Sequence, residues 1–536
     1  MLKSYFKIAW RNIIRHKGYS AINISGLAVG IAACLLIFVI VQYELSFDTA
    51  QPGYYNTYRI NTQISRDGNI NYNPGLPPPA TEVLPLKFPG AKFASLNTSY
   101  GSQITIPSNT GNAADDKKFI ENIGVMFIEP QFFDLLKFNW LAGQPSVLKD
   151  PEMVVINKSS AAKYFGDWKN AVGKTLKMDN VLTLKVSGVI DDAPANSDFP
   201  LRVLVSYSTW KRHGKNYNYN YSWDMVSSSH QLYMSFPENV SLTTINSQLL
   251  NFSNKQFNNK GANTKVLVAQ PLSELHFDTR FGETLGDHMT SKATLRTLSL
   301  IAVLIIIMAS INFINLSTAQ SIRRSKEVGI RKVMGGSRAQ LILQVMGETT
   351  IIVLIAVLCA IGIAEIALPY LKNISNVPDS IRIFNPRSYL FLTALILVVV
   401  TLSGLYPSLV VSGFKPVLAL KNKISAASIG GIPLRRTLVV AQFAIAQLLF
   451  IGTVIAVRQM NFVNNADLGF DKNAVLVIPG YTDSTSLRKM QDFKQALLRT
   501  PAVQAASFAS DAPSSDNNSS TNFNFNHSKK ADFNSF

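Results

Sequence analysis

Five stretches of this chain are apolar over enough residues to dictate much of its fold. Uncharged runs occupy Gly18 to Tyr43, Thr297 to Ile322, Ser388 to Phe414 and Thr437 to Val457, and a fifth, Thr349 to Leu371, is interrupted only by Glu365. A bilayer core of about 30 Å is crossed by roughly 20 helical residues rising about 1.5 Å each. A helix buried in a soluble core seldom needs so long an uncharged run. With 47% apolar residues among 536, the pattern predicts an α-helical membrane protein of about five transmembrane helices.

The net charge of +18 raises the question of nucleic-acid binding, and its placement answers it. Residues 1–17 hold Lys3, Lys7, Arg11, Arg15 and Lys17 without an acid; 323–338 holds six basic residues against Glu327; 415–436 holds Lys415, Lys421, Lys423, Arg435 and Arg436 without an acid. These three segments carry +15 of the +18, whereas the 252 residues from Glu44 to Leu295 are balanced at 23 basic and 22 acidic. If the spans alternate, all three basic segments lie on one side, as the positive-inside bias requires of a cytoplasmic N-terminus. This argues against a nucleic-acid partner and for the lipid bilayer.

The first run exceeds the apolar region of a signal peptide and lacks a small-residue cleavage site at its outer end, so it reads as an anchor. Ile31-Ala32-Ala33-Cys34 mimics a lipoprotein processing box, but Leu35 to Val41 continues the apolar helix. Cys359 also sits in a run, so no disulfide framework is expected.

The resulting division is a cytoplasmic N-terminus at 1–17, helix 1 at 18–43, an extracytoplasmic domain at 44–296, a unit of helices 2–4 at 297–414 with a cytoplasmic loop at 323–338, a basic linker at 415–436, helix 5 at 437–457, and the start of a second, incomplete extracytoplasmic domain at 458–536. The 44–296 segment is too long for a connector. Leu182 to Val189 and Met153 to Ile156 read as strands, Ser159 to Phe165 and Leu242 to Phe257 as helices, which predicts a large α+β domain. Glu44-Leu45-Ser46-Phe47-Asp48 after the first run and Asp467-Leu468-Gly469-Phe470-Asp471 after the fifth share an acid-Leu-small-Phe-Asp pattern. In that shared context the match suggests a duplication cut short. The residues beyond about Pro513 show no helical or strand period and read as disordered or as part of an incomplete domain.

No catalytic constellation emerges. The six histidines form no HExxH pair and no zinc spacing with the two cysteines, and no G-x-S-x-G elbow occurs. Gly173-Lys174-Thr175 resembles the end of a phosphate loop, but Trp168 stands where a glycine is required, so a turn entering a strand is expected. Neither an enzymatic activity nor a metal site is predicted.

The remaining functional feature is Arg323 to Arg338. Glu327 and Arg331 stand at i and i+4 on a short helix that Gly335-Gly336 can stop. Such a helix would present Val328, Ile330 and Val333 to a partner or the membrane interface, with Arg331 and Lys332 at its edge. Composition alone favours an ordinary loop whose arginines only set topology.

Ser325 to Ser337, SKEVGIRKVMGGS, resembles the signature of FtsX/MacB-type ABC transporter permeases. YELSFD with Tyr58-Arg59-Ile60, FFDLLKFNWLAGQP at 132–145, KYFGDWKNAVGKTLKM at 163–178 and GVIDDAPANSDF at 188–199 are similar to the periplasmic core domain of that family. The resemblance implies that Glu327, Val328, Gly329, Ile330, Arg331, Lys332 and Gly335 form a coupling helix that docks on a separate ABC ATPase subunit. ATP and Mg would be bound by that partner, with no cofactor in this chain. It also implies an inner-membrane location and a mechanical transmitter for export or extraction. Its other implied partners are a second permease copy or half and a periplasmic adaptor or outer-membrane component. An FtsX-like regulator of an extracytoplasmic enzyme and a non-transporting scaffold are the alternatives. Two acids interrupt or border the spans: Glu348, expected at an interface, and Glu365, a candidate intramembrane acid near the outer end of its helix.

Overall fold

The computed structural model of the chain describes residues 10–66, 68–108, 110–237, 240–257, 259, 263–282, 285, 288–323, 325–373, 378, 381–414, 432–467, 475–478, 484–509, 520–523 and 532–535. It divides into two units, residues 1–101, 121–174 and 185–463 in the first and 102–120, 175–184 and 464–536 in the second.

The apolar runs of the first unit are helices α1 (Lys17–Glu44), α2 (Lys292–Arg323), α4 (Arg338–Ala367), α5 (Pro386–Ser412) and α6 (Ile432–Asn465), with the short α3 (Ser325–Val333) between α2 and α4. All but α3 are long and apolar enough to cross a membrane, so the expected five are present. In lipid there is no hydrophobic force between helices, and close approach of small residues takes its place. Ala356, Ala360 and Ala364 line one buried face of α4 at four-residue spacing, and α4 packs on α1, where Ala28 and Ala32 are buried. A Cβ on Gly30 would lie 3.0 Å from the Ala309 Cβ, so that glycine lets α1 and α2 approach. Cys34 is buried within α1, inside this core. In α6, by contrast, none of the apolar window is buried within the chain. Its Gln442 Oε1 accepts from the Asn315 Nδ2 of α2 at 3.3 Å.

Between α1 and α2 lies a mixed sheet. Thr57–Arg66 pairs antiparallel with Thr264–Pro271 on one side and His230–Ser235 on the other. From there the order runs through Lys92–Ser99, Val125–Ile128, Val203–Ser206 and Met153–Asn157 to Leu182–Ile190, with 125–128 parallel to 203–206 and 153–157 parallel to 182–190. Six consecutive buried residues, Thr57 to Thr62, mark the first of these as a central strand covered on both faces. The helix Leu242–Gln256 starts on Ser241, whose side chain accepts from the Thr244 N–H, and packs on the sheet through Ile245, Leu249 and Ser253, one per turn. Parallel and antiparallel pairs with intervening helices make this an α+β domain, as expected.

The structure adjusts several expected boundaries. Helix α2 begins at Lys292 rather than 297, and α6 extends beyond 437–457 to Ile432–Asn465. Arg435 and Arg436, expected in the linker, therefore lie in the helix; 415–431 fall outside the described residues. The second acid-Leu-small-Phe-Asp copy also lies outside them from Leu468 onward. In the second unit, Ser484–Leu498 is a helix, and Ser520–Phe523 pairs antiparallel with Asp532–Ser535 although that segment shows no strand period. At the false phosphate loop, Gly173 (φ 85°) turns the chain ahead of strand Thr175–Met178.

Candidate functional site

Helix α3 forms as the residue spacing predicts, but its contacts differ. Gly335 adopts φ 92°, and the Gly336 N–H donates to the Arg331 carbonyl at 2.9 Å, closing the helix end. Ser337 then starts α4 with a capping box: its Oγ accepts from the Gln340 N–H at 3.3 Å, and Gln340 Oε1 accepts from the Ser337 N–H at 3.0 Å. Two helices are thus joined by a tightly bonded turn.

Val328 does not face outward as the sequence pattern suggested. It is buried with Leu341, Val411 and Phe414, and Gly329 beside it is also buried. Lys332 is a tether rather than an edge residue: its Nζ donates to the carbonyls of Ser412 at 2.7 Å and Phe414 at 2.9 Å, at the C-terminal end of α5. Carbonyls at a helix end lack intrahelical partners and carry the negative end of the helix dipole, so they suit an ammonium. The Glu327–Arg331 pair is stretched to 3.9 Å, and the Arg331 Nη1 donates instead to Gln344 Oε1 of α4 at 2.8 Å. The outward surface consists of Ile330, Val333 and Met334, at 47%, 65% and 83% exposure, with Glu327 also exposed.

Glu348 and Glu365 part company. Asn12 Nδ2 donates to both Glu348 carboxylate oxygens at 3.0 Å, beside a cavity of about 200 Å³ that Arg11, Arg15 and Arg331 also line. Glu365 is on an exposed face of α4.

A second cluster was not visible in the sequence. At the other end of α1, the chain turns through Asp48 (φ 50°) and meets the loop 195–198. Tyr43 Oη donates to the Ala195 carbonyl at 2.8 Å, Asn196 Nδ2 to the Ser46 carbonyl at 2.9 Å, and Ser197 Oγ and the Asp198 N–H to the two Asp48 oxygens at 2.6 and 3.0 Å. Glu44 closes α1, and its two oxygens lie 2.7 Å from His276 Nε2 and 2.9 Å from His288 Nε2. The other His276 nitrogen, Nδ1, is 2.9 Å from Asp198 Oδ1. Phe47 stacks on the His276 ring with centroids 3.6 Å apart. Three structural segments therefore converge: the end of α1, a loop of the sheet domain, and the strand-to-helix passage leading into α2.

The charges there are buried, so they must compensate one another. Burial alone would push the His276 imidazole down, but the hydrogen bonds it donates to the carboxylates of Asp198 and Glu44, and their charges, overcome it and hold it at about 9. Burial, together with the neighbouring Asp198 charge, raises the Asp48 carboxyl to about 7. Burial also raises Asp198, against the opposing pull of His276.

Residues 20–252 match the family model described as the MacB-like periplasmic core domain, and residues 299–416 match the FtsX-like permease C-terminal model. The chain belongs to the FtsX/MacB-type ABC transporter permeases. This permease is 21% identical over 363 residues to the macrolide export ATP-binding/permease protein MacB of Burkholderia lata, an alignment covering 67% of this chain and 48% of that protein. It thus spans about half the length of that curated relative. Among solved structures, a domain of a putative permease protein from Porphyromonas gingivalis aligns at 16% identity over 46% of this chain and 98% of that one, with TM-score 0.35. The periplasmic region of MacB from Actinobacillus actinomycetemcomitans aligns at 18% identity over 40% and 89%, with TM-score 0.29. The permease is accordingly a multi-pass membrane protein with a periplasmic-type domain. Helix α3 lies inside the FtsX-like match, and all of the α1-end cluster except His276 and His288 lies inside the periplasmic-domain match.

Proposed function

We propose that this permease converts the nucleotide cycle of a separate ABC ATPase into movement of its sheet domain, for export or extraction of a substrate. The observation that carries this reading is the double character of α3. One side is fastened to the bundle by Val328, Lys332 and Arg331, and the other offers Ile330, Val333 and Met334 to a partner. A load applied to the outer side reaches α4 through Gln344 and α5 through its terminal carbonyls.

In this reading α3 and the N-terminus face the cytoplasm, the sheet domain faces the periplasm, and the membrane is the inner one. ATP and Mg are held by the ATPase, and no step of hydrolysis uses a residue of this chain. The uncovered α6 suits a second permease copy or half, since an apolar helix needs lipid or protein around it and Gln442 prefers a polar partner. Glu327 and Gly335 shape the docking surface and its hinge, while Glu365 has no role in the transmission path.

The test is copurification of the full-length protein with the ATPase from its own host. Ile330→Asp with Val333→Asp is expected to lose the ATPase while the protein remains folded in detergent. Undiminished copurification of the ATPase with that variant would overturn the docking assignment.

A further inference from the structure

We propose that Glu44, His276 and His288 form a binding site for a zinc-class divalent cation, with Asp198 orienting His276 from behind. The inference is independent of the ATPase-coupling reading, because it concerns the opposite end of the helices and another ligand.

The first ground is convergence. One oxygen or nitrogen from each of the three side chains lies within 4.8 Å of the other two. Each oxygen of Glu44 faces a different imidazole, and both rings present Nε2 to it. The rings are inclined at 64° with centroids 5.5 Å apart, so they approach one point from different directions rather than stacking. Zinc–nitrogen and zinc–oxygen bonds of about 2.0–2.2 Å put tetrahedral ligand atoms roughly 3.3 Å apart. The 2.7 and 2.9 Å separations run to different Glu44 oxygens, so an ion there would take the carboxylate through both oxygens or draw the two imidazoles towards one of them by side-chain rotation.

The second ground is what lies behind His276. Carboxylate oxygens face both of its nitrogens, Asp198 at Nδ1 and Glu44 at Nε2. If Nδ1–H donates to Asp198, a neutral ring turns its Nε2 lone pair towards the Glu44 oxygen, an arrangement that either a proton or a metal cation between them satisfies. A carboxylate on the far nitrogen of a histidine ligand is the usual outer partner in metal sites, fixing ring orientation and raising basicity. Phe47, stacked on the same ring, fixes its plane.

The third ground is access. Glu44 and His276 are buried at 3% and 2% exposure, whereas the His288 side chain is 24% exposed and gives the ion a route to solvent and a position for water. Two histidines, one glutamate and an open position suit zinc and neighbouring first-row ions better than calcium or magnesium, which prefer all-oxygen shells. Bound there, the ion would clamp the end of α1 to the passage entering α2.

The experiment uses the full-length protein in detergent, stripped with a chelator, incubated with Zn²⁺ alone, desalted and analysed for metal by mass spectrometry. Wild type is expected to retain about one ion per chain, held by three protein ligands with water in the open position. His288→Ala, which alters a partly exposed side chain and is expected to fold, should not retain it. Asp198→Asn should weaken binding by roughly 10–100-fold. His213→Ala, at the unrelated His213–Glu152 pair, serves as the control and should bind like wild type. Co²⁺ loading should give the visible bands of a tetrahedral site in wild type and not in Glu44→Gln. Retention in wild type no greater than in His288→Ala, or an equal loss in His213→Ala, overturns the site and leaves the cluster held by protons.

Discussion

At the α3 end of the bundle, the residues that matter are neighbours in sequence, Glu327 to Gly335, and several of their side chains face outward. At the domain end, the cluster around Glu44 is gathered from positions up to 244 residues apart, and its central groups are buried. The outer face of α3 is exposed, so its charges are screened and each bond there contributes little. The cluster at the domain end is buried, so each group depends on its partner. The difference teaches where substitutions should uncouple the protein and where they should unfold it.

The strongest way to break this comparison is His276→Ala. It strands Glu44 and Asp198 without the group between them, and removing one partner of a buried ionic set costs about 3–5 kcal/mol. Thermal unfolding of the full-length protein should show a large drop in Tm. If the drop is no greater than for Arg331→Ala, the contrast between the two ends is wrong.

A buried histidine elsewhere in the sheet domain sharpens it through pH. His230 is held as a neutral ring, with Nδ1 against the Leu76 carbonyl at 3.2 Å and Nε2 against Tyr207 Oη at 2.7 Å. Burial lowers it from 6.5 to about 4. The unfolded chain therefore takes up a proton between these values while the folded one does not. The stabilisation is complete above pH 6.5 and declines as pH falls towards 4, by on the order of 3 kcal/mol. His230→Gln should flatten that slope in chemical unfolding measured at several pH values. An unchanged slope would assign it to other groups.

Smaller effects belong to the α3 end. Lys332→Ala removes bonds to the carbonyls of Ser412, the last residue of α5, and of Phe414 just beyond it, a loss of about 1–3 kcal/mol. The ATPase should still copurify, but its hydrolysis should no longer respond to substrate. Loss of ATPase binding instead would make Lys332 a docking residue. Smallest of all, Arg331→Ala breaks a 3.9 Å surface pair and one bond to Gln344, and should shift stability by no more than about 1 kcal/mol.

Much of the architecture was legible in the residues. Long uncharged runs report spans because lipid forbids unpaired charge. The strands at 153–157 and 182–190 showed themselves by apolar content and alternation. At α3, the helix and its glycine stop were readable, but the orientation of Val328 was not. A nine-residue helix presents apolar residues on more than one side, and only the positions of Leu341, Val411 and Phe414 decide which side is covered. The cluster of Glu44, His276 and His288 left no mark in the sequence, because ligand-like spacing is diagnostic only when the residues share one turn or loop.

By itself, the sequence determined that this chain crosses the membrane, that an α+β domain interrupts the crossing, and that a short basic helix separates two spans. These follow from local rules of hydropathy, periodicity and charge, each satisfied within a few neighbouring residues. Tertiary structure alone decided that Lys332 caps α5, that Val328 turns inward, and that Glu44, Asp198, His276 and the partly exposed His288 come together in one cluster. The reason is that burial and charge compensation are properties of what surrounds a side chain in space, and for these residues the surroundings come from distant parts of the chain.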